Sequence, residues 1–177
     1  MTPVCAVARL VSIDTIARMS AALVLDRFIP YRLSIASNLV SDAIASTYEA
    51  LFALSVPEWR LIAVIAEAEP IAQAAIAQRT RMDKVTVSRA AIALVARGLL
   101  ARDDNPADKR SHLLRLTGAG RNLYEAVAPK ALELERLLFA AFPPRALRRF
   151  VTMLRWIEQC ADEMQHSVAQ SSTPPST

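Results

Sequence analysis

Apolar positions recur along most of this chain with the period of a helix, and the breaks in that period mark its joints. From Pro30 to Leu54, Leu33, Ala36, Val40, Ile44, Thr47 and Leu51 stand three and four residues apart and form one long stripe. Ser55-Val56-Pro57-Glu58 then restarts the chain. Ser55 is suited to capping, Pro57 to a first turn and Glu58 to closing a capping box, which predicts a helix from Val56 to about Ala68. Pro70 restarts it again, and Ile71 to Arg79 reads as a helix of barely two turns. Thr80-Arg81-Met82 is a three-residue turn, and Asp83 is an N-cap for a helix from Lys84 to Arg97. Val87, Ala91, Leu94 and Val95 give that helix its inner stripe, and Gly98 stops it.

The period changes next. Leu99 to Arg102 and Ser111 to Leu116 are short strand candidates around a polar tip, Asp103 to Arg110. Two short helices joined by a three-residue turn make a helix-turn-helix, and the hairpin after it makes a winged helix. Thr117 caps a further long helix to about Ala140, with a bend expected at Pro129. Pro143-Pro144 opens the last one, in which Leu147, Phe150, Leu154, Ile157, Ala161, Met164 and Val168 repeat by three and four.

The expected fold is therefore mainly α with a small β-hairpin wing. Residues 1–29 form an extension with a helix around Asp14 to Arg27. Residues 30–54 and 117–169 are dimerisation helices, and 55–116 is the winged helix-turn-helix, with its wing at 99–116. Residues 170–177 form a disordered Ser/Thr/Pro tail.

Composition narrows the chemistry. Among 177 residues there are only three glycines, which excludes a P-loop and a dinucleotide-binding fingerprint. Two histidines and two cysteines cannot supply a zinc finger, and no cofactor is expected. The Asp103-Asp104 pair lies in a solvated hairpin tip, and no nucleophile stands with a base, so the chain does not read as an enzyme. No window has the roughly 18 apolar residues of a membrane span, and no secretory signal is visible, so a cytoplasmic, nucleoid-associated protein is expected. The net charge of +4 is unevenly placed. Between Pro70 and Leu116 there are nine basic and four acidic residues, an excess that favours a polyanionic partner.

Five segments, in order and over roughly Pro30 to Met164, resemble the MarR family of bacterial transcription regulators. They are Leu54 to Arg60, Met82 to Arg89, Arg97 to Leu100, Asp104 to Arg110 and Leu116 to Gly120. Ala72 stands where the family has a serine or threonine, which removes a hydroxyl for phosphate. Gly118 stands where proline is usual, and the extension before Pro30 is longer than usual.

The periodicity of the second motif helix directs Lys84, Val85, Thr86, Ser88 and Arg89 away from the core, toward the half that enters the major groove in such motifs. Arg89 suits a bidentate guanine contact, Val85 or the Thr86 methyl suits a thymine methyl, and Lys84 suits phosphate. At the tip, Arg110 suits a narrow minor groove, with Lys109 beside it. The resemblance implies that Asp108 holds the Arg110 guanidinium. The helices before Ser55 and after Thr117 carry apolar stripes that one winged helix cannot cover, which points to a homodimer, hence to a pseudo-palindromic stretch of double-stranded DNA, and a repressor is expected. The resemblance also implies a pocket for a small aromatic or phenolic effector, and Tyr31, Ser34, Asn38, Trp59 and Arg60 are its candidate lining. Tyr31 and Trp59, however, are residues that more often serve plain packing. Two alternatives stay open: a thiol-based redox sensor acting through Cys5, with Cys160 a weaker candidate, and an architectural DNA-binding protein without an effector.

Overall fold

The computed structural model describes residues 22–171, with side chains through Ser167. The elements are a 3-10 turn (Leu25–Arg27), α1 (Ile29–Phe52), α2 (Val56–Ala68), β1 (Ile71–Ala72), α3 (Gln73–Thr80), α4 (Lys84–Ala96), β2 (Leu100–Asp104), β3 (His112–Leu116), α5 (Gly118–Leu138) and α6 (Pro144–Ser171). They fall into two compact units, one spanning Leu25–Leu137 and the other containing α6. The family of shapes is the expected one: mainly helical with a small antiparallel sheet.

Local chemistry explains the joints. The capping box forms as expected: the Ser55 amide and hydroxyl both donate to Glu58 Oε2 at 2.8 Å, and the Glu58 amide donates back to Ser55 Oγ. Just before it, Ala53 closes α1 in the left-handed region at φ 50°, a conformation costing an alanine about 1 kcal/mol. Leu54, which follows, is fully buried and holds the chain there. At the other end of the motif α4 finishes in a Schellman arrangement. The Leu99 amide donates to the Leu94 carbonyl, the Gly98 amide to Val95, and Gly98 has φ 70°.

The core of the first unit is one cluster. Leu61, Ile62 and Ile65 of α2, Ile76 of α3, Val87, Ala90, Ala91 and Leu94 of α4 and Leu114 of β3 supply its centre. Tyr48 brings in α1 and Val127 brings in α5. Of the expected α1 stripe, Leu33, Val40, Ile44 and Thr47 are half-buried, whereas Ala36 and Leu51 are exposed. Tyr48, outside that stripe, is the α1 residue that reaches the core.

Several expectations need correction. Ile71 and Ala72 do not begin a helix. They form β1, pairing Ile71 with Leu114 and Ala72 with Leu113, so the wing is a three-stranded sheet in the order β1-β3-β2. Two residues after a proline carry no readable period, and burial of Ile71 against the hairpin decides their state. The hairpin strands begin and end within a residue or two of expectation, with Leu100 opposite Leu116 and Asp104 opposite His112. The helix expected around Asp14 to Arg27 lies largely outside the described residues. Within them, 22–24 are irregular and only Leu25–Arg27 form a 3-10 turn. α5 runs unbroken through Pro129, and at the tail Gln170 and Ser171 are still helical.

One backbone approach fixes where α5 departs. The Leu99 carbonyl accepts from the Thr117 amide at 3.1 Å and the Thr117 hydroxyl at 3.2 Å, and that hydroxyl accepts in turn from the Gly120 amide at 3.0 Å. A Cβ on Gly120 would sit 2.0 Å from the Leu99 carbonyl oxygen, so only glycine fits. Glu69, following α2, binds across the same corner: it accepts from the Leu116 amide at 2.7 Å and pairs with Arg121. Gly120→Ala is therefore expected to lower stability by about 1–3 kcal/mol or more. Gly118→Ala, with open space around its position, is expected to be neutral or stabilising by under about 1 kcal/mol. Chemical denaturation of both variants checks this contrast, and equal effects contradict the backbone approach.

Candidate nucleic-acid interface

The site is built on α4, the second helix of the helix-turn-helix. α3 leads into it through Arg81, which adopts a left-handed φ of 55°, and Asp83 caps its start. Asp83 Oδ1 accepts from the Thr86 amide at 2.8 Å and Oδ2 from the Thr86 hydroxyl at 2.6 Å. Thr86 therefore spends its hydroxyl on the cap and presents only its methyl group. Those bonds, first the hydroxyl and then the amide, hold the Asp83 carboxyl below its ordinary pKa.

Val87, Ala90, Ala91 and Leu94 are buried, and the opposite face is open. Lys84, Val85 and Arg89 are exposed, and Thr86 and Ser88 are half-buried on the flanks. The structure adds Ile92 to that face: it is 56% exposed, one turn beyond Arg89 and two beyond Val85. Its spacing from both was available in the sequence. Beyond the apolar contacts of Val85 and Ile92, the open face offers charge only through Lys84 and Arg89.

The wing tip is ordered by its own polar groups. Asn105 Nδ2 donates to Ser111 Oγ at 2.8 Å, and the Asp108 carbonyl accepts from the Ser111 amide at 3.0 Å. Asp108, Lys109 and Arg110 are all exposed. The expected pairing of Asp108 with the Arg110 guanidinium is not formed. Asp108 Oδ1 accepts instead from the Arg110 backbone amide at 3.0 Å, an Asx turn that shapes the loop and leaves the guanidinium projecting. Lower on the wing, Arg115 donates to Asp103 at 2.7 Å across the β2–β3 pair.

The five residues expected to line an effector pocket do not converge within the chain. Tyr31, Ser34 and Asn38 are exposed along the first half of α1. Trp59 stacks on Tyr124 with ring centroids 5.9 Å apart and meets the Tyr48 ring, tilted by 60°, at 5.5 Å. Tyr48 lies 17 residues beyond Tyr31, about 25 Å along the helix. Trp59 is thus a packing residue that joins α1, α2 and α5, and Arg60 beside it faces solvent. Burial of Tyr48 in this cluster raises its phenol pKa. Cys5 lies outside the described residues, and Cys160 is half-buried on α6. Among the described residues no group of His, Cys, Asp and Glu side chains could hold a metal ion, and no helix is long and apolar enough to cross a membrane.

A helix-turn-helix closed by a β wing defines a winged-helix protein. Comparison with known proteins then narrows the class. Residues 54–111 match the model of the MarR family. An HTH-type transcriptional regulator of Bacillus subtilis (strain 168), YdgJ, is 29% identical over 87 residues, 49% of this chain and 53% of that protein. The chain thus matches about half the length of this curated relative. Among solved structures, a MarR/EmrR family transcriptional regulator from Acinetobacter sp. ADP1 superposes with a TM-score of 0.74 at 24% identity, covering 80% of this chain and 99% of that one. Sco3205 of Streptomyces coelicolor, a MarR family regulator solved in complex with DNA, superposes with a TM-score of 0.71 at 20% identity, covering 80% and 91%. At these identities the structural likeness is one of fold. The likeness to the MarR family thus rests on residues 54–111 in sequence, and on fold over about four-fifths of the chain.

The Asp83 cap has a testable pH dependence. A carboxyl whose folded-state pKa is depressed stabilises the fold when ionised. That gain is complete above the ordinary value of about 3.9 and is lost as pH falls through the lower folded-state value. Asp83→Ala should therefore melt below the parent at neutral pH, and the gap should narrow as the medium is acidified. Thermal melts of both proteins from about pH 7 to about pH 2 check it, and a gap that widens in acid contradicts the cap.

Proposed function

We propose that the chain is a sequence-specific, double-stranded DNA-binding regulator that works as a homodimer on a pseudo-palindromic operator, repressing the genes it controls. The observation that carries this reading is the divided surface of α4. One face is locked into the core by Val87, Ala91 and Leu94, while Lys84, Val85 and Arg89 stand free on the other. Arg89 is assigned to base edges, with Val85 and the Thr86 methyl against thymine methyls and Ser88 on the flank. Lys84 and Lys109 are assigned to phosphates, and Arg110 to the minor groove beside the major-groove contact. Asp108 shapes the tip that presents Arg110.

The dimer is supported by apolar surface that one chain leaves open. On α6, Phe150, Met153, Ile157 and Met164 are each at least two-fifths exposed, and Leu39 of α1 is 65% exposed. Rows of this kind on a soluble chain mark an association surface. Two-fold symmetry then places two recognition helices on half-sites about 10 base pairs apart. Release by a small aromatic effector completes the reading, supported by the resemblance of residues 54–111 to the MarR family. Such a ligand needs a better fit to a spacing that DNA does not select.

Four outcomes are expected. Sedimentation at micromolar concentration gives twice the 19.4 kDa chain mass, and a stable monomer refutes the dimer. Footprinting on genomic fragments yields a discrete palindromic site whose affinity falls steeply with salt. Uniform protection favours the architectural alternative. On that site Arg89→Ala costs about 1–3 kcal/mol and relaxes preference at one position per half-site. Arg110→Ala weakens binding most where the flanks are A·T-rich, and equal binding on all flanks removes the wing from the mechanism.

A further inference from the structure

Arg97, the C-cap of α4, makes a contact that no local rule anticipates. Its Nη1 donates to the carbonyl of Ala53, 44 residues earlier, at 2.9 Å, and lies 3.6 Å from Glu58 Oε1. Glu58 is itself committed, since its other carboxylate oxygen accepts from both the amide and the hydroxyl of Ser55. One guanidinium therefore bridges the C-cap carbonyl that follows α1, the capping box of α2 and the end of α4. The acceptor is well placed for a cation, because the C-terminal carbonyls of a helix carry its negative dipole end. It is also held firmly. Ala53 is fixed in the left-handed region and is followed by the fully buried Leu54.

α4 spans 13 residues, so Arg97 stands about 20 Å from the end that carries Lys84 and Val85. At that distance it cannot share a base edge with Arg89, yet it holds the far end of the same rigid rod. We propose that Arg97 is a positioning residue for DNA reading: by tying α4 to the C-terminus of α1, it sets the angle at which Val85 and Arg89 are presented. This rests on the DNA-reading role proposed above. It also makes the α1–α2 corner the place where a displacement of α1 passes to the reading face. Arginine suits this task because the rigid guanidinium plane fixes where the N–H groups of Nη1 point, whereas lysine carries a freely rotating ammonium on a flexible stem.

The test uses full-length Arg97→Ala, Arg97→Lys, Arg89→Ala and the Arg89→Ala/Arg97→Ala double variant. Each is titrated against the footprinted operator and a scrambled duplex over a range of salt. Arg97→Ala is expected to bind the operator roughly tenfold more weakly, the scale of one lost base contact. Its scrambled-duplex affinity and salt slope should stay at the parent's values. The double variant should bind little worse than Arg89→Ala alone, because a misdirected helix has already lost the Arg89 contact. Arg97→Lys should fall between parent and Arg97→Ala, and it keeps the test open if Arg97→Ala fails to fold. Additive losses in the double variant overturn the proposal. So does a salt slope reduced by about 1, which makes Arg97 a phosphate contact instead. A parent protein that protects no sequence overturns the DNA reading itself, an outcome separate from either.

Discussion

Val87, Ala90, Ala91 and Leu94 are almost wholly removed from water, and a rigid helix with four such side chains cannot roll about its axis. Rolling by one residue would turn a buried position toward solvent and drive a neighbour into a packed core, at a cost of about 2–5 kcal/mol for each leucine-sized hole. The outward stripe is fixed by the same constraint. Val85, Arg89 and Ile92 share the face opposite the buried set, so the surface proposed to read DNA is a consequence of the packing beneath it.

Fixing rotation does not fix tilt or translation, and three separate devices address those. Asp83 anchors the first turn through Thr86. Gly98 and Leu99 fold the chain back at the other end, and the Leu99 carbonyl then receives Thr117 while leaving room only for glycine at position 120. Arg97 ties the same end to α1. The devices differ in chemistry, being a carboxylate cap, a backbone approach and a charged side-chain bridge. They therefore respond differently to pH, to added volume and to the loss of charge.

How much of this was legible in the sequence depended on the range of the interaction. The Ser55–Glu58 box, the Asp83 cap and the Gly98 stop each join residues a few positions apart, and each appears where the residues indicated. The α4 face was legible as well, because 3.6-residue periodicity is a local property. β1 was not, since two residues show no period and their pairing partners lie more than forty positions away. The Arg97–Ala53 contact is equally distant and leaves no trace in composition. Asp108 shows a subtler limit. Its spacing from Arg110 signals a short-range interaction, but a carboxylate two residues before an amide has two partners in reach, and the backbone donor wins without ordering a long side chain. Trp59 was legible as an aromatic suited to packing or to a pocket wall, and its neighbours Tyr48 and Tyr124 decide that it packs.

Exposed apolar side chains occur in two arrangements here, and the difference bears on what each surface does. On α4, Val85 and Ile92 are single residues on a helix face that also carries Arg89, with half-buried Ser88 on its flank. Isolated apolar groups of that size are ordinary on a protein surface and recruit no partner by themselves. Beside a cation they suit a groove edge where thymine methyls and phosphates alternate with polar base atoms. On α6, Phe150, Met153, Ile157 and Met164 recur at helical spacing for four turns, and no charged residue interrupts that row. A row of that length costs free energy in water at about 25 cal/mol per Å² and is relieved by another apolar row, not by a polyanion. The proposed division of labour, with nucleic acid on α4 and a second copy against α6, thus follows from how each helix mixes apolar and charged positions.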